Sequence, residues 1–243
     1  MAVSRRTLMI AATSLPLVAT ARPVRAAIAH YPLHCDPELR AALEAAALAF
    51  LAASDIRVHV LPTSDGLLVP QVAHVTQSDI VMTRPETVAG LEAIGHTVQG
   101  APHPRFAGRL VLAGLLETPD EAARGGPIAA PDKLPNQAFD SAAVLAAIGL
   151  DRALTMGTVD TANAAFLVTS GKARAGLVYL SDVKADPRLK IVTEIPAAAA
   201  PPVIYIATTT QTPRRPQPEA FVSYLASPAG AAIMKQYGLE LMA

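Results

Sequence analysis

The sequence predicts an α/β fold of two lobes, each a mainly parallel sheet flanked by helices with a ligand cleft between them. Three observations lead there. Strand-like runs alternate with helix-like runs, the pattern of parallel sheets covered by helices. Hydrophobic residues make up 51% of the 243, enough to bury a sizeable core in one large domain or in two lobes of about 100 residues. One apolar run, residues 106–113, is placed to carry the chain out of a first lobe.

The N-terminus reads as a leader. Ser4-Arg5-Arg6-Thr7-Leu8 opens an apolar run over residues 8–21, and Val24-Arg25-Ala26 offers small residues for cleavage. The run is short of the about 20 residues that span a bilayer, and Pro16 interrupts it. Paired arginines ahead of a modest apolar core resemble a twin-arginine signal; an ordinary secretory signal is the alternative. Either route delivers a chain cut near Ala26 to the periplasm, so residues 1–26 are set aside.

Loss of Arg5, Arg6, Arg22 and Arg25 lowers the 20 basic residues to 16 against 20 acidic ones, a net charge of −4. That charge excludes nucleic acid as a partner, and no basic cluster suits an anionic membrane. Cys35 is the only cysteine, so no intrachain disulfide forms and packing must supply the stability.

The elements follow in order. Residues 27–31 read as a first strand and 32–35 as a turn. Asp36-Pro37 reads as an N-cap with proline at the first helical position, opening a helix that gathers Leu39, Leu43, Ala46, Ala47, Phe50 and Leu51 on one face. Residues 56–61 alternate as a second strand and 80–82 form a short buried third. A helix over 85–94 stops at Gly95. After the run at 106–113 come a Glu-, Pro- and Gly-rich loop at 117–127, a strand at 128–130, a helix from about 138 to 148 ended by Gly149, and a short strand near Thr155. Asp160 is placed to cap a helix running to Ser170. Strands at 175–180, 191–194 and 203–207 complete the sheets. The resulting division is residues 27–108 with 206–243 as lobe I and 109–205 as lobe II. In such sheets the crevice lies outside the strand C-termini, where Tyr179 falls. On spacing alone Tyr179 is equally well a core-edge tyrosine.

Residues 162–238 carry a stronger signal. Gly176-Leu177-Val178-Tyr179-Leu180-Ser181-Asp182 is similar to the Gly-Ile-Val-Tyr-x-x-Asp segment of the periplasmic molybdate-binding proteins of ABC transporters. Pro201-Pro202-Val203-Ile204-Tyr205 resembles their returning strand, and Leu225-Ala226-Ser227-Pro228 with Tyr237-Gly238 resembles their final helix pair. The resemblance implies a type II periplasmic-binding-protein fold, a small tetrahedral oxyanion such as molybdate or tungstate in the interlobe cleft, and an ABC permease as partner. It also implies no cofactor, no catalysis and a monomer. By position, Tyr179 would donate its hydroxyl to the oxyanion, Thr161 a backbone N–H at a helix start, and Asn136 the corresponding N–H after Pro135. Helix N-termini suit an anion without lysines or arginines.

The first lobe departs from that family's pattern, which places a serine after the first strand and another after the second. Residues 33–38 hold no Ser or Thr, and Pro37 has no N–H; in Thr63-Ser64-Asp65-Gly66, Ser64 can still act. Asp36, Glu38 or Asp65 facing a dianion would repel it, whereas Asp36 acting as an N-cap would not. Another anion, an organic acid clamped by Arg84, Arg105 or Arg109, or a transition metal on His30, His34 and Cys35 remain alternatives, as does a scaffold or sensor with an occluded cleft. The metal set matches no established zinc spacing. Catalysis has no support: Gly-x-Ser-x-Gly, His-Glu-x-x-His and phosphate-loop motifs are absent, and His34 and Cys35, adjacent on an extended chain, point to opposite faces. With no Trp, the chain lacks platforms for sugars.

Changing Arg5-Arg6 to Lys-Lys is expected to block export. Normal periplasmic accumulation of that variant in cell fractionation would remove the twin-arginine reading.

Overall fold

A computed structural model describes residues 30–64, 66–75, 78–97, 103–115, 126–132, 139–150, 153–211 and 218–242. The leader and Asn136 lie outside this set. β1 (His30–Cys35) leads through a 3₁₀ turn (Pro37–Leu39) into α1 (Arg40–Ser54), then β2 (Arg57–Pro62), the short α2 (Leu68–Pro70), a π-helical turn (Gln71–Val75), β3 (Ile80–Thr83) and α3 (Pro85–Ala93). β4 (Arg105–Gly108) and β5 (Leu110–Gly114) come next. β6 (Ile128–Pro131), α4 (Ser141–Ala147), β7 (Thr155–Thr158), α5 (Thr161–Thr169), β8 (Ala175–Tyr179), α6 (Leu180–Ala185) and β9 (Lys190–Glu194) follow. β10 (Val203–Thr209), α7 (Pro218–Ala226), α8 (Pro228–Gln236) and β11 (Glu240–Leu241) close the chain.

Two sheets result, one ordered β11-β4-β10-β3-β1-β2 and the other β7-β6-β8-β5-β9. This is the two-lobed α/β architecture that the alternation of elements predicts. The sheets are mixed rather than mainly parallel. β1 pairs parallel with β2 and β3, and β6 with β7 and β8, whereas β10, β4, β11 and β5 enter antiparallel. The physical reason is the chain crossing: a strand that leaves one sheet and passes straight into the next cannot run parallel to its neighbours in both.

The apolar run expected as one strand is two. β4 lies in the first sheet and β5 in the second, with Arg109 between them. The return crossing falls between Glu194 and Val203, because β10 pairs within the first sheet along its whole length, Val203↔Gly108 to Thr209↔Ile80. Tyr205 therefore lies inside the first lobe rather than at its boundary.

β1 occupies residues 30–35, where a turn was expected from Pro32. Proline is tolerated because the β1–β3 ladder begins one residue later, at Leu33↔Ile80. The missing N–H therefore costs no ladder bond on that side, while the Pro32 carbonyl accepts from Asp79 N–H at 3.0 Å. α1 buries Ala42, Leu43, Ala46, Ala47 and Phe50, and Phe50 meets Phe221 of α7 edge-on with centroids 5.3 Å apart. One apolar cluster runs from these residues through Phe106 and Leu112 to Leu177 and Tyr179, so the lobes share a core.

In the second lobe Asp160 caps α5 as its position predicts, the carboxylate accepting from Asn163 N–H at 2.6 Å. Gly176 of β8 lets that helix lie close, since a Cβ there would stand 3.1 Å from a Val168 methyl and 3.4 Å from the Ala164 carbonyl oxygen. No described helix is long and apolar enough to cross a membrane.

Asp160→Ala is expected to cost about 0.5–2 kcal/mol of stability, the usual value of a lost N-cap. Urea unfolding at constant m-value checks it.

Candidate functional site

The parallel strands bring the interesting residues to two facing edges. In the first lobe β1, β2 and β3 run side by side, so the residues just past their ends, Asp36 to Glu38, Ser64 and Arg84, gather at one sheet edge. In the second, β6, β7 and β8 likewise share a direction, which puts Tyr179 at the C-terminal end of β8 and Thr161 just past that of β7.

The crossing strand joins the two edges. Phe106 of β4 is opposite Tyr205 of β10, and Leu110 of β5 is opposite Tyr179 of β8. Leu180 N–H donates to the Arg109 carbonyl between them at 2.8 Å. Both tyrosines thus stand beside the crossing, and their rings meet edge to face at 6.3 Å. Gly108 makes room for one of them; a Cβ there would lie 3.0 Å from Tyr205 Cε2. Phe139 closes the other side of Tyr179, also edge-on, at 6.4 Å.

Arg84 lies in this seam with its side chain 12% exposed. Its Nη2 donates to Glu38 Oε1 at 3.4 Å, and its Nε is 3.8 Å from Asp36 Oδ2. Tyr205 Oη donates to the same Glu38 oxygen at 2.9 Å, and Thr83 Oγ1 donates to Asp36 Oδ1 at 2.8 Å. Asp36 makes no side-chain cap to its own helical turn, contrary to the N-cap expectation. The reason is the Leu33↔Ile80 to Cys35↔Met82 register, which sets Asp36 beside Thr83 and Arg84, where a hydroxyl and a guanidinium outbid backbone N–H groups.

On the second-lobe side, the hydroxyls of Tyr179, Thr161 and Ser181 are buried with no hydrogen-bond partner among the described residues. Buried donors without acceptors are uncommon and expensive. Tyr179 is 2% exposed. Burial pushes its phenol well above the usual tyrosine range, with the Arg84 charge opposing and Glu38 and Asp36 assisting the rise, so it is an O–H donor throughout the working pH range. The Asp182 carboxylate accepts from Tyr179 N–H at 3.0 Å and fixes the turn from β8 into α6. Burial raises Asp182 to about 8, and Glu38 adds to the rise. The Thr161 hydroxyl lies near enough to that carboxyl to oppose the shift, without reaching hydrogen-bond geometry.

Burial also raises Glu38, against the opposing charge of Arg84. Arg84 itself is pulled down by burial but held above its ordinary value by Glu38, Tyr179 and Asp36, so its charge is secure.

The sequence-predicted residues divide. Tyr179 and Thr161 reach the second-lobe edge. Ser64 sits half-buried in the turn after β2, its carbonyl accepting from Leu67 N–H at 3.0 Å. His30, His34 and Cys35 do not converge. His30 starts the strand that Cys35 ends, and His34 and Cys35 alternate across the sheet. His34 Nδ1 meets Thr63 Oγ1 at 2.9 Å, while the Cys35 thiol is buried in the core, and burial raises it. Among the clamping candidates Arg105 is exposed, and Arg109 pairs with Glu194 at 3.3 Å on the surface by the outgoing crossing. Thr83, Ser181, Tyr205 and Phe139 were not singled out for the site. Their signal is weak, since partners such as Tyr205 and Glu38 lie 167 residues apart.

Residues 33–240 match the family described as bacterial extracellular solute-binding protein. No curated protein matches the sequence. Among solved structures, the Azotobacter vinelandii periplasmic molybdate-binding protein is similar over 88% of this chain and 100% of its own, with a TM-score of 0.72 and 21% identity. The sulfate-binding protein SubI from Mycobacterium tuberculosis covers 87% and 86% at a TM-score of 0.61 and 15% identity. Iron-bound HitA from Pseudomonas aeruginosa covers 86% and 84% at 0.56 and 16%. At these identities the likeness is one of fold.

The raised Asp182 gives a signed pH effect. Its folded value of about 8 lies above the ordinary carboxyl value of 3.8, so the folded protein holds an extra proton between them. That contribution is fully present below the unfolded value and is lost as pH rises through about 8. Stability is therefore expected to fall from pH 4 to pH 8, with this group supplying up to about 1.4 kcal/mol per pH unit. Asp182→Asn, which can still accept from Tyr179 N–H, is expected to flatten that slope in urea titrations across the range.

Proposed function

Because the chain belongs to the bacterial extracellular solute-binding protein family, we propose that it captures, between its lobes, a small solute bearing an oxyanionic group and delivers it to an ABC permease from the periplasm. The observation that carries this reading is the buried hydroxyl of Tyr179 at the seam, which has no hydrogen-bond partner among the described residues and lies within the field of the buried Arg84 guanidinium. A hydroxyl and a guanidinium together bind anionic oxygen. Thr161, the first residue of α5, adds a helix N-terminus on the same side. Ser64, past the end of β2, is proposed for the rim of the site, and Asn136 is proposed as a further ligand-binding residue.

Molybdate and tungstate are expected from the family resemblance, and among the fold relatives one is a molybdate-binding and another a sulfate-binding protein. Charge limits how well this chain can hold them. Arg84 is shared with Glu38 and Asp36. A unit charge repels another at 4 Å by about 4 kcal/mol at an effective dielectric of 20, and a dianion doubles that. A singly charged group, a carboxylate included, is therefore held with less repulsion than a dianion.

A thermal-shift panel on the leader-free, chelator-treated protein tests the reading with molybdate, tungstate, sulfate, phosphate and succinate beside zinc, copper and nickel. A ligand at about a thousand times its dissociation constant adds about 4 kcal/mol, or roughly 8–16 °C at this size. A shift with an oxyanion is expected; shifts with metals alone would overturn it. Tyr179→Phe is expected to weaken the responding anion by about 1–2 kcal/mol in calorimetry.

A further inference from the structure

Glu38 already holds the groups that an entering anion would use. It stands on the 3₁₀ turn between β1 and α1, and that turn packs against both α5 and α6 of the second lobe. Its side chain is 2% exposed, and one carboxylate oxygen accepts from Tyr205 Oη at 2.9 Å and from Arg84 Nη2 at 3.4 Å. A first-lobe carboxylate thus lies in the seam in the attitude of a bound anion.

We propose that Glu38 is an internal competitor and a specificity-determining residue of the solute site: its carboxylate holds Arg84 when the seam is empty, and an entering oxyanion takes Arg84 over while Glu38 takes up a proton. The proposal rests on the reading that this site accepts an oxyanionic group. The balance is simple. One anion enters and one proton is drawn from solvent onto Glu38, which leaves the charge of the seam unchanged for a singly charged group and lowers it by one unit for a dianion.

The neighbours of Glu38 force this coupling. Facing or near it are Arg84 at the start of α3, Asp36 on its own turn, Tyr205 of β10, Tyr179 of β8, Asp182 of α6 and, behind, Cys35 of β1. Within this set Arg84 is the group that carries positive charge. Burial already lifts the Glu38 carboxyl, and the chief effect restraining it is the Arg84 charge, ahead of the N–H of its own turn and the Tyr205 hydroxyl. Once a solute anion claims Arg84, that restraint is lost and a second negative charge has arrived, so protonation is the low-energy outcome. Displacing a carboxylate from a guanidinium also demands a strong partner. Groups with two oxygens for the guanidinium fork qualify, and halide ions do not.

Titration calorimetry of the leader-free protein with molybdate, phosphate and succinate, each in two buffers of different ionisation enthalpy, decides it. About one proton taken up per anion bound is expected at pH 7.5, with affinity falling up to about tenfold per pH unit as pH rises. Glu38→Gln is expected to abolish the uptake and tighten binding by about tenfold or more. Anion binding without proton uptake, or uptake that persists in Glu38→Gln, overturns the competitor and leaves the solute site standing. Failure of all three probes and chloride to bind either protein overturns both. The wild-type proton count decides alone if the variant does not fold.

Discussion

A guanidinium removed from water must be paired, and the seam between the lobes is arranged around that requirement. Arg84 follows β3 directly, and its partners Asp36 and Glu38 follow β1, the neighbouring strand. Removing one member of such a set strands a buried charge at a cost of about 3–5 kcal/mol, so the parallel β1–β3 register, the 3₁₀ turn and the Tyr205 and Thr83 hydroxyls are tied together. In the proposed site the first lobe contributes a cation whose charge is shared with Glu38 and Asp36.

The crossing between the sheets transmits that arrangement to the second lobe. Residues 105–114 serve both sheets, and the registers on either side of Arg109 fix where Tyr205 and Tyr179 stand. The two aromatic rings meet across the seam while the polar ends remain available to charged groups. At the outgoing crossing Arg109 and Glu194 also form an exposed pair, of the kind worth about 0–1 kcal/mol.

The two faces of the seam differ in kind. The first-lobe face is charged, with Glu38 hydrogen-bonded to both Arg84 and Tyr205. The second-lobe face holds the neutral hydroxyls of Tyr179, Thr161 and Ser181, which lack hydrogen-bond partners among the described residues. At the proposed site a solute would be met by hydroxyl donors on one side and would compete with Glu38 for Arg84 on the other. Under that proposal selectivity comes from the competition more than from the donors, because hydroxyls and helix N-termini accept any anionic oxygen.

Local signals in the sequence were strong where a residue acts on its own neighbours. Asp160 capped the helix that its position announces, Gly95 and Gly149 ended theirs with positive φ, and Tyr179 stood at the end of its strand. Local signals misled where a distant partner intervened. Pro32 read as a turn until a ladder beginning at Leu33 made its missing N–H harmless, and Asp36 read as a cap until Thr83 and Arg84 offered better donors. By itself the sequence determined the α/β class, the order of elements and the tyrosine at the second-lobe edge, since these follow from periodicity, caps and strand ends. Only the tertiary structure decided that Arg84 is buried, that Glu38 and Tyr205 bind each other across 167 residues, and that the first-lobe acids turn inward. Charge pairing in a low-dielectric interior depends on which chain ends the sheets bring together, and no local pattern of residues encodes that.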